Sequence, residues 1–316
     1  MRAVGLKKFG GPEVLEVLEL PPPQAGPGQV RVRVHAAAVN PTDTLIRSGA
    51  PIVVAAGRQP DTPPYVPGMD AAGVIDQVGP GVDNRLQTGL QVVTMVVPHG
   101  SHGAYAEQIV VPAESVVRAP TGADPTAAAT LLMNGVTARL AVDAVALDPG
   151  NTLAVTGAAG TLGSYVIPLA KRDGLRVIAD AKDSDVQLVR GFGADDVVER
   201  GPGVASRFLS LEPGGILGLV DAALLNEKVL PALANGGRMA TVREWDGEPG
   251  RDIKVLPIRA RTSSTDTPTL EKLVGLAEEG VLSLRVAQVF PAAQAVEAHR
   301  LIEAGGLRGR VVLDFR

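Results

Sequence analysis

The 316-residue chain contains no cysteine. That excludes disulfides, thiolate nucleophiles and thiolate-bound metals together. Aromatic residues are scarce at 3%, with one tryptophan and three tyrosines. Binding a nucleic acid by stacking bases on interleaved aromatic and basic side chains therefore has little to work with. Positive charge is not in excess, since the formal net charge is −4, which disfavours any partner held by phosphate neutralisation. There is no G-x-S-x-G elbow, so a serine hydrolase of that design has no support. The opening segment MRAVGLKKFGGPEVLEVLEL lacks the apolar run of a signal peptide, and the expectation is a cytoplasmic protein. The uncharged stretch 149–170 is long enough to cross a bilayer, but glycines, two prolines and a change of pattern midway argue against a span, so no membrane partner is expected.

What is present is ordinary globular composition, 45% hydrophobic and 20% charged, in a chain long enough for two domains. The first third reads as β structure. In QVRVRVHAAAV, Val30, Val32 and Val34 alternate with Gln29, Arg31 and Arg33, giving one inward and one wet face. AAGVIDQVG, GLQVVTMVV and AEQIVVP follow at short spacing, as in a barrel or sandwich. From NTLAVTG onward, six strand-like runs alternate with helical ones, including a helix over NEKVLPALA ended by NGG. That rhythm marks parallel βαβ units. The last strands, RVAQVF and GRVVLDF, are expected to rejoin the first β domain. The domains are placed at 1–120 with 265–316, and at 121–264.

The stretch VTGAAGTLGSYVIPLAK has glycines at Gly157, Gly160 and Gly163, between a β-branched run and an apolar helical one. A strand that turns sharply into a helix needs glycine for the turn, for close approach of a pyrophosphate and for helix–strand packing. The pattern departs from G-x-G-x-x-G, because the first of those places falls on Ala158. The following strand LRVIAD ends in Asp180, where an acid would bind the ribose hydroxyls of NAD; Lys182 and Arg200 are placed to pair with a 2′-phosphate instead. NADPH is the expected cofactor, with NADH left open by Asp180. Pro168 falls inside the expected helix 162–173, which should kink there or start later.

The residues now in view resemble the zinc-free quinone oxidoreductase branch of the medium-chain dehydrogenase/reductase superfamily, the zeta-crystallin-like proteins. The resemblance runs through FGGPEVLEVLELPPPQAGPGQVRVRVHAAAVNPTDTLIRSG, PPYVPGMDAAGVIDQVGPGV, GAYAEQIVVP, LLMNGVTA, the glycine stretch, GADDVV and GGLRGRVVLDF, in family order. It implies an α/β protein with a Rossmann doubly wound parallel sheet and a GroES-like β-barrel domain formed by both chain ends, the active site lying in the cleft between. It implies NADPH and a homodimer. By position, Asn40 and Asp43 would sit near the nicotinamide and Thr137 would touch the cofactor. Ala159, Gly160, Thr161 and Leu162 would hold the pyrophosphate, together with Gly157 and Gly163. Ala222, Met239 and Thr241 would line the nicotinamide side, and Arg308 opens the matching C-terminal segment. Departures are Asp180, Thr161 with Leu162, and the long stretch 50–62, which would face the substrate.

Zinc alcohol dehydrogenases share that fold and use cysteine and histidine. Here VNPTD offers no cysteine, and Met69 with Asp70 stands where those enzymes carry His-Glu. His99 and His102, three apart in PHGSHG, are a weak metal candidate. Without a Lewis acid, hydride transfer suits an acceptor that is already electrophilic, such as a quinone or an enone. Tyr65 is the tyrosine expected to border the cleft, while Tyr105 and Tyr165 read as structural. The expected activity is zinc-independent, NADPH-dependent reduction of quinones or related conjugated carbonyls. The alternatives are an enone or enoyl-thioester double-bond reductase, for which Arg47 and Arg58 are candidate channel-mouth residues, and a non-catalytic NADPH-binding protein.

Overall fold

The computed structural model describes residues 1–50 and 62–316. The stretch 51–61, with Arg58 and most of the long insertion, lies outside the described residues. Seven strands come first: β1 (Arg2–Gly5), β2 (Glu16–Glu19), β3 (Gln29–Val39), β4 (Asp70–Val78), β5 (Gln91–Met95), β6 (Gln108–Pro112) and β7 (Val116–Arg118). Six more follow: β8 (Thr152–Thr156), β9 (Arg176–Ala181), β10 (Asp196–Glu199), β11 (Ile216–Asp221), β12 (Leu233–Thr241) and β13 (Lys254–Pro257). The chain ends with β14 (Val286–Pro291) and β15 (Arg310–Asp314). The helices are α1 (Pro41–Ser48), α2 (Pro125–Ala128), α3 (Leu132–Val145), α4 (Gly163–Arg172), α5 (Val186–Gly191), α6 (Val204–Leu211), α7 (Thr267–Glu278) and α8 (Ala295–Ala304).

Two compact units result, one of Met1–Met133, Arg261–Glu279 and Leu284–Arg316, the other of Asn134–Ala260 and Gly280–Ser283. The first thus takes in residues 121–133, which the sequence reading assigned to the second. The reason is that α2 packs on β3, β4, β14 and β15.

In the first unit, a sheet runs β14-β15-β3-β4-β5-β7, and β6 also pairs with β3. Strand β3 is its centre, antiparallel to β15, β4 and β6. Its alternation is the one read from the sequence: Val30, Val32 and Val34 are buried, and from Ala36 to Val39 every side chain is. These valines join Ile75, Val92, Ile109, Val111, Val311 and Leu313 in one core. Burying each such aliphatic side chain contributes roughly 1.5–3 kcal/mol. The C-terminal strand β15 lies against β3 with Val311 opposite Val39, so the chain's last strand joins the sheet built from its first third, while β1 and β2 pair with each other.

The second unit holds an all-parallel sheet in the order β10-β9-β8-β11-β12-β13. This is the doubly wound dinucleotide-binding order, reversing direction between β8 and β11. Helix α4 starts at Gly163 and continues past Pro168, which leaves the Ser164 carbonyl without its usual amide partner. The expected helix over NEKVLPALA is absent. Two short 3₁₀ turns, Asn226–Lys228 and Leu230–Ala232, stand there, and NGG lies inside β12. Pro231 cannot continue an α-helical hydrogen-bond ladder, which limits that segment to isolated turns. The stretch 149–170 is strand, glycine turn and helix.

Candidate functional site

Two constellations of polar groups and bare backbone are the candidates for chemistry, one in each unit. In the second unit, β8 delivers the chain to the glycine turn at the sheet's reversal point. Gly157 adopts φ +65°, a conformation a side chain disfavours, and its carbonyl accepts the amide of Gly160 at 3.0 Å. Gly163 opens α4 so close to the strand that a Cβ there would lie 2.5 Å from Ala158 Cα and 2.7 Å from the Gly157 carbonyl oxygen. The bare backbone is therefore required twice, for the turn and for the packing. Ala159, Thr161 and Leu162 complete the turn, and Leu162 stands at the N-cap position without a capping side-chain bond.

Asp180 near the end of β9 faces this turn from behind. Its side chain is fully buried, Oδ1 accepts the Ala158 amide at 3.3 Å, and Oδ2 has no hydrogen-bond partner. Burial raises its pKa, opposed by Arg200 and by the amides of Ala158 and Gly157. The Arg200 Nε stands 3.9 Å away while its side chain is 39% exposed. Arg200 donates its own amide to the Ala181 carbonyl, so Arg200 and exposed Lys182 sit at adjacent strand ends.

Three further strand ends meet at the reversal point. Thr156 Oγ1 donates to Asp221 Oδ1 at 2.6 Å, and the other oxygen of Asp221 accepts the Asn226 amide. Ala223 donates its amide to Thr156 Oγ1. Thr241 pairs in register with Asp221, and its buried hydroxyl lacks a partner. Of the residues expected here, Ala222 follows Asp221 with its backbone 3.1 Å from where a Gly157 Cβ would stand, and Met239 is buried on β12. Thr137 lies on α3. The sequence reading missed Thr156 and Asp221; a polar residue ending each of two apolar strands was the available signal.

In the first unit, the stretch NPTD builds a helix start. Asn40 is the N-cap of α1, Pro41 takes the first helical position, and Asp43 at the third accepts the Asn40 amide at 2.8 Å. Asn40 Nδ2 donates to Asp70 Oδ2 at 3.0 Å, and Asp70 Oδ1 accepts the Met133 amide. Asn40 Oδ1 is buried without a partner. Asp43 Oδ1 accepts the Gly68 amide at 3.0 Å. Both acids are fully buried, and burial pushes Asp43 up to about 6 and Asp70 to about 7.

Tyr65 lies outside this hydrogen-bonded set. Tyr65 stacks its ring on Phe9 at 4.7 Å and bridges Leu6 through its backbone. It is Tyr105 whose hydroxyl stands 3.3 Å from Asp43 Oδ2 and 3.3 Å from His299 Nε2. Arg47, expected near a channel mouth, is buried. It contacts His299 Nδ1 at 3.4 Å, Glu303 at 2.6 Å and the Gly10 carbonyl at 3.1 Å. Arg308, ahead of β15, donates to the carbonyls of Gly306 and Leu307.

The histidine pair of PHGSHG bridges backbone to backbone, and burial lowers His102 to about 4. Among the described residues no three His, Cys, Asp or Glu are grouped to hold a metal. With no cysteine in the chain and Asn40 and Asp70 already bonded to each other, the donor set does not fit a zinc site.

Two protein families match: the alcohol dehydrogenase GroES-like domain over 26–121 and the zinc-binding dehydrogenase family over 174–313. The chain is 30% identical to a quinone oxidoreductase of Pseudomonas aeruginosa, over 96% of this chain and 97% of that one. Among solved structures, an NAD-dependent alcohol dehydrogenase is 33% identical with a TM-score of 0.86, covering all of both chains. A mycobacterial protein solved with NADPH is 26% identical with a TM-score of 0.86, over 99% of this chain and 100% of its own. The parallel sheet with its glycine turn, the β unit built from both chain ends and these likenesses agree: the chain belongs to the medium-chain dehydrogenase/reductase superfamily, an oxidoreductase family, with quinone oxidoreductases among its homologues.

Proposed function

We propose that this protein reduces quinones or related conjugated carbonyls with NADPH and without zinc. The observation that carries the reading is the glycine turn at the reversal point, with two exposed cations, Lys182 and Arg200, at the ends of β9 and β10. A helix N-terminus reached through bare backbone suits a pyrophosphate, and two cations beside the second strand suit a 2′-phosphate. Bound NADPH would supply the hydride. The turn would hold its pyrophosphate, and Lys182 with Arg200 its adenosine phosphate.

The acceptor class follows from the donor set around Asn40. With no cysteine and no fitting metal cluster among the described residues, nothing there polarises an isolated ketone as zinc does. A conjugated acceptor needs less help, and a reduced quinone can take its protons from water. The likeness to the Pseudomonas aeruginosa quinone oxidoreductase supports this choice.

The test is to titrate the protein with NADPH and NADH separately, following nicotinamide fluorescence, then to add 1,4-benzoquinone, 9,10-phenanthrenequinone, a simple enone and a simple ketone. Tighter NADPH binding and quinone-dependent oxidation are expected. Preference for NADH would reverse the cofactor assignment, and turnover confined to the ketone would overturn the acceptor class.

A further inference from the structure

Five side chains, four of them buried, connect α8 to the start of α1. Glu303 pairs with Arg47 at 2.6 Å, Arg47 meets His299 Nδ1 at 3.4 Å, His299 Nε2 meets the Tyr105 hydroxyl at 3.3 Å, and that hydroxyl meets Asp43 Oδ2 at 3.3 Å. The direction of every bond in this series follows from its first member. A guanidinium only donates, so Nδ1 of His299 must be the accepting nitrogen. A neutral imidazole then carries its proton on Nε2 and donates it to the tyrosine oxygen. The tyrosine's single proton is left for Asp43. His299 is held neutral, since burial and then Arg47 lower its pKa to about 3.

Asp43 is the sink of this series. Its carboxylate also accepts the Asn40 and Gly68 amides, so three donors converge on it. The charged and titratable groups around it are Tyr105, Arg310 on β15 and Asp70 on β4, with His299 and Arg47 one and two bonds further on. Arg310 favours the carboxylate, while Asp70 stands near enough for the two acids to repel. Gly68 fits the same geometry: at φ +106° it lies so close to Tyr105 that a Cβ would come 2.5 Å from the ring.

We propose that Arg47, His299 and Tyr105 are positioning residues: a one-way hydrogen-bond chain that keeps Asp43 as a carboxylate and thereby fixes the Asn40 amide and the Gly68 turn. Asn40 in turn is tied through its side chain to Asp70, so the chain sets the attitude of the residue with the unmet buried acceptor. Its kinetic consequence rests on the reductase reading; the chain itself does not. As Asp43 takes up a proton, at about pH 6, it loses the ability to accept all three donors, and activity should fall on that limb.

The experiment uses full-length protein labelled with ¹⁵N-histidine and ¹³C-aspartate, wild type beside Tyr105→Phe, His299→Gln and His299→Phe. Glutamine can accept from Arg47 and donate to Tyr105, so it preserves the polarity that phenylalanine breaks. The expected spectrum shows His299 as the neutral Nε2–H tautomer from pH 5 to 8. Asp43 should titrate about one pH unit higher in Tyr105→Phe, in line with loss of one bond to its charged form, and close to wild type in His299→Gln. The acid limb of NADPH oxidation should move with it. An Nδ1–H tautomer, an imidazolium at neutral pH, or an unmoved Asp43 titration in Tyr105→Phe would overturn the proposal. If His299→Phe does not fold, the other two variants still decide it. The spectra need no acceptor, so a wild-type protein that turns over nothing would sink the reductase reading while the tautomer still upholds or overturns the chain.

Discussion

Asp180 accepts the amide of Ala158 at 3.3 Å, which makes the acid near the end of β9 a brace for the glycine turn. An acid at that place in the sequence invites a role on the ribose. In the fold its side chain is sealed behind the turn. Replacing Asp180 with alanine removes the acceptor and leaves a buried amide unpaired, at a cost of about 1–3 kcal/mol. The expected outcome is weaker binding of NADPH and NADH by similar factors, with a lower melting temperature. A variant that switches preference from one to the other, measured by parallel titrations, would return Asp180 to the ribose.

Lys182 and Arg200 carry the opposite expectation. Both are solvent-exposed, so their contribution to phosphate binding is screened by salt. Alanine at either position should raise the NADPH dissociation constant about tenfold, below the range for a fully desolvated charged hydrogen bond. NADH binding should barely change. Repeating the titration at high salt should shrink the wild-type preference toward that of the variants. Equal losses for both cofactors would place the 2′-phosphate elsewhere.

The contrast between buried Asp180 and exposed Lys182 and Arg200 is where sequence alone stops. The alternation in β3, the βαβ rhythm and the three glycines were legible because each is a local pattern with a local physical cause. The start of α1 was legible too, since Asn40, Pro41 and Asp43 fall at N-cap, first and third helical positions. Tyr105 and His299 were not. They are 194 residues apart in sequence, and neither has a neighbour that betrays the other. Tyr65, which stands among prolines near a family motif, stacks its ring on Phe9. The turns at 226–232 failed for a different reason: NEKVLPALA has helical composition, but Pro231 interrupts it.

The glycine turn makes a graded prediction. A methyl at Gly163 would collide with backbone atoms of Gly157 and Ala158, which cannot move without disturbing β8. At Gly160 the nearest atom is the Gly157 carbonyl oxygen, at 3.2 Å. Gly163→Ala should therefore cost roughly 1–3 kcal/mol in overpacking, seen as a lower denaturation midpoint. Gly160→Ala should leave the midpoint nearly intact and weaken cofactor binding instead. Equal destabilisation by the two would mean that packing alone explains the glycines.

The buried acids and histidine of the first unit pull stability in opposite directions with pH. Asp70 titrates at about 7 in the fold, above an unfolded value near 3.8. The native state thus holds an extra proton between those values, and its contribution fades as pH rises toward 7. Asp43 acts the same way up to about pH 6. His299, at about 3 in the fold against 6.5 unfolded, does the reverse. Its stabilising contribution is present above pH 6.5 and is lost on acidification toward 3. Between pH 4 and 6.5 the two kinds of group offset each other, flattening the wild-type profile. Asp70→Asn should gain stability relative to wild type as pH rises from 4 to 7, and His299→Gln should gain relative to wild type as pH falls from 6.5 to 4. Chemical denaturation of both variants across that range reads the two slopes directly. Parallel slopes would mean that these groups titrate alike in the folded and unfolded states, and the buried chain from Arg47 to Asp43 would lose the electrostatic environment that gives it direction.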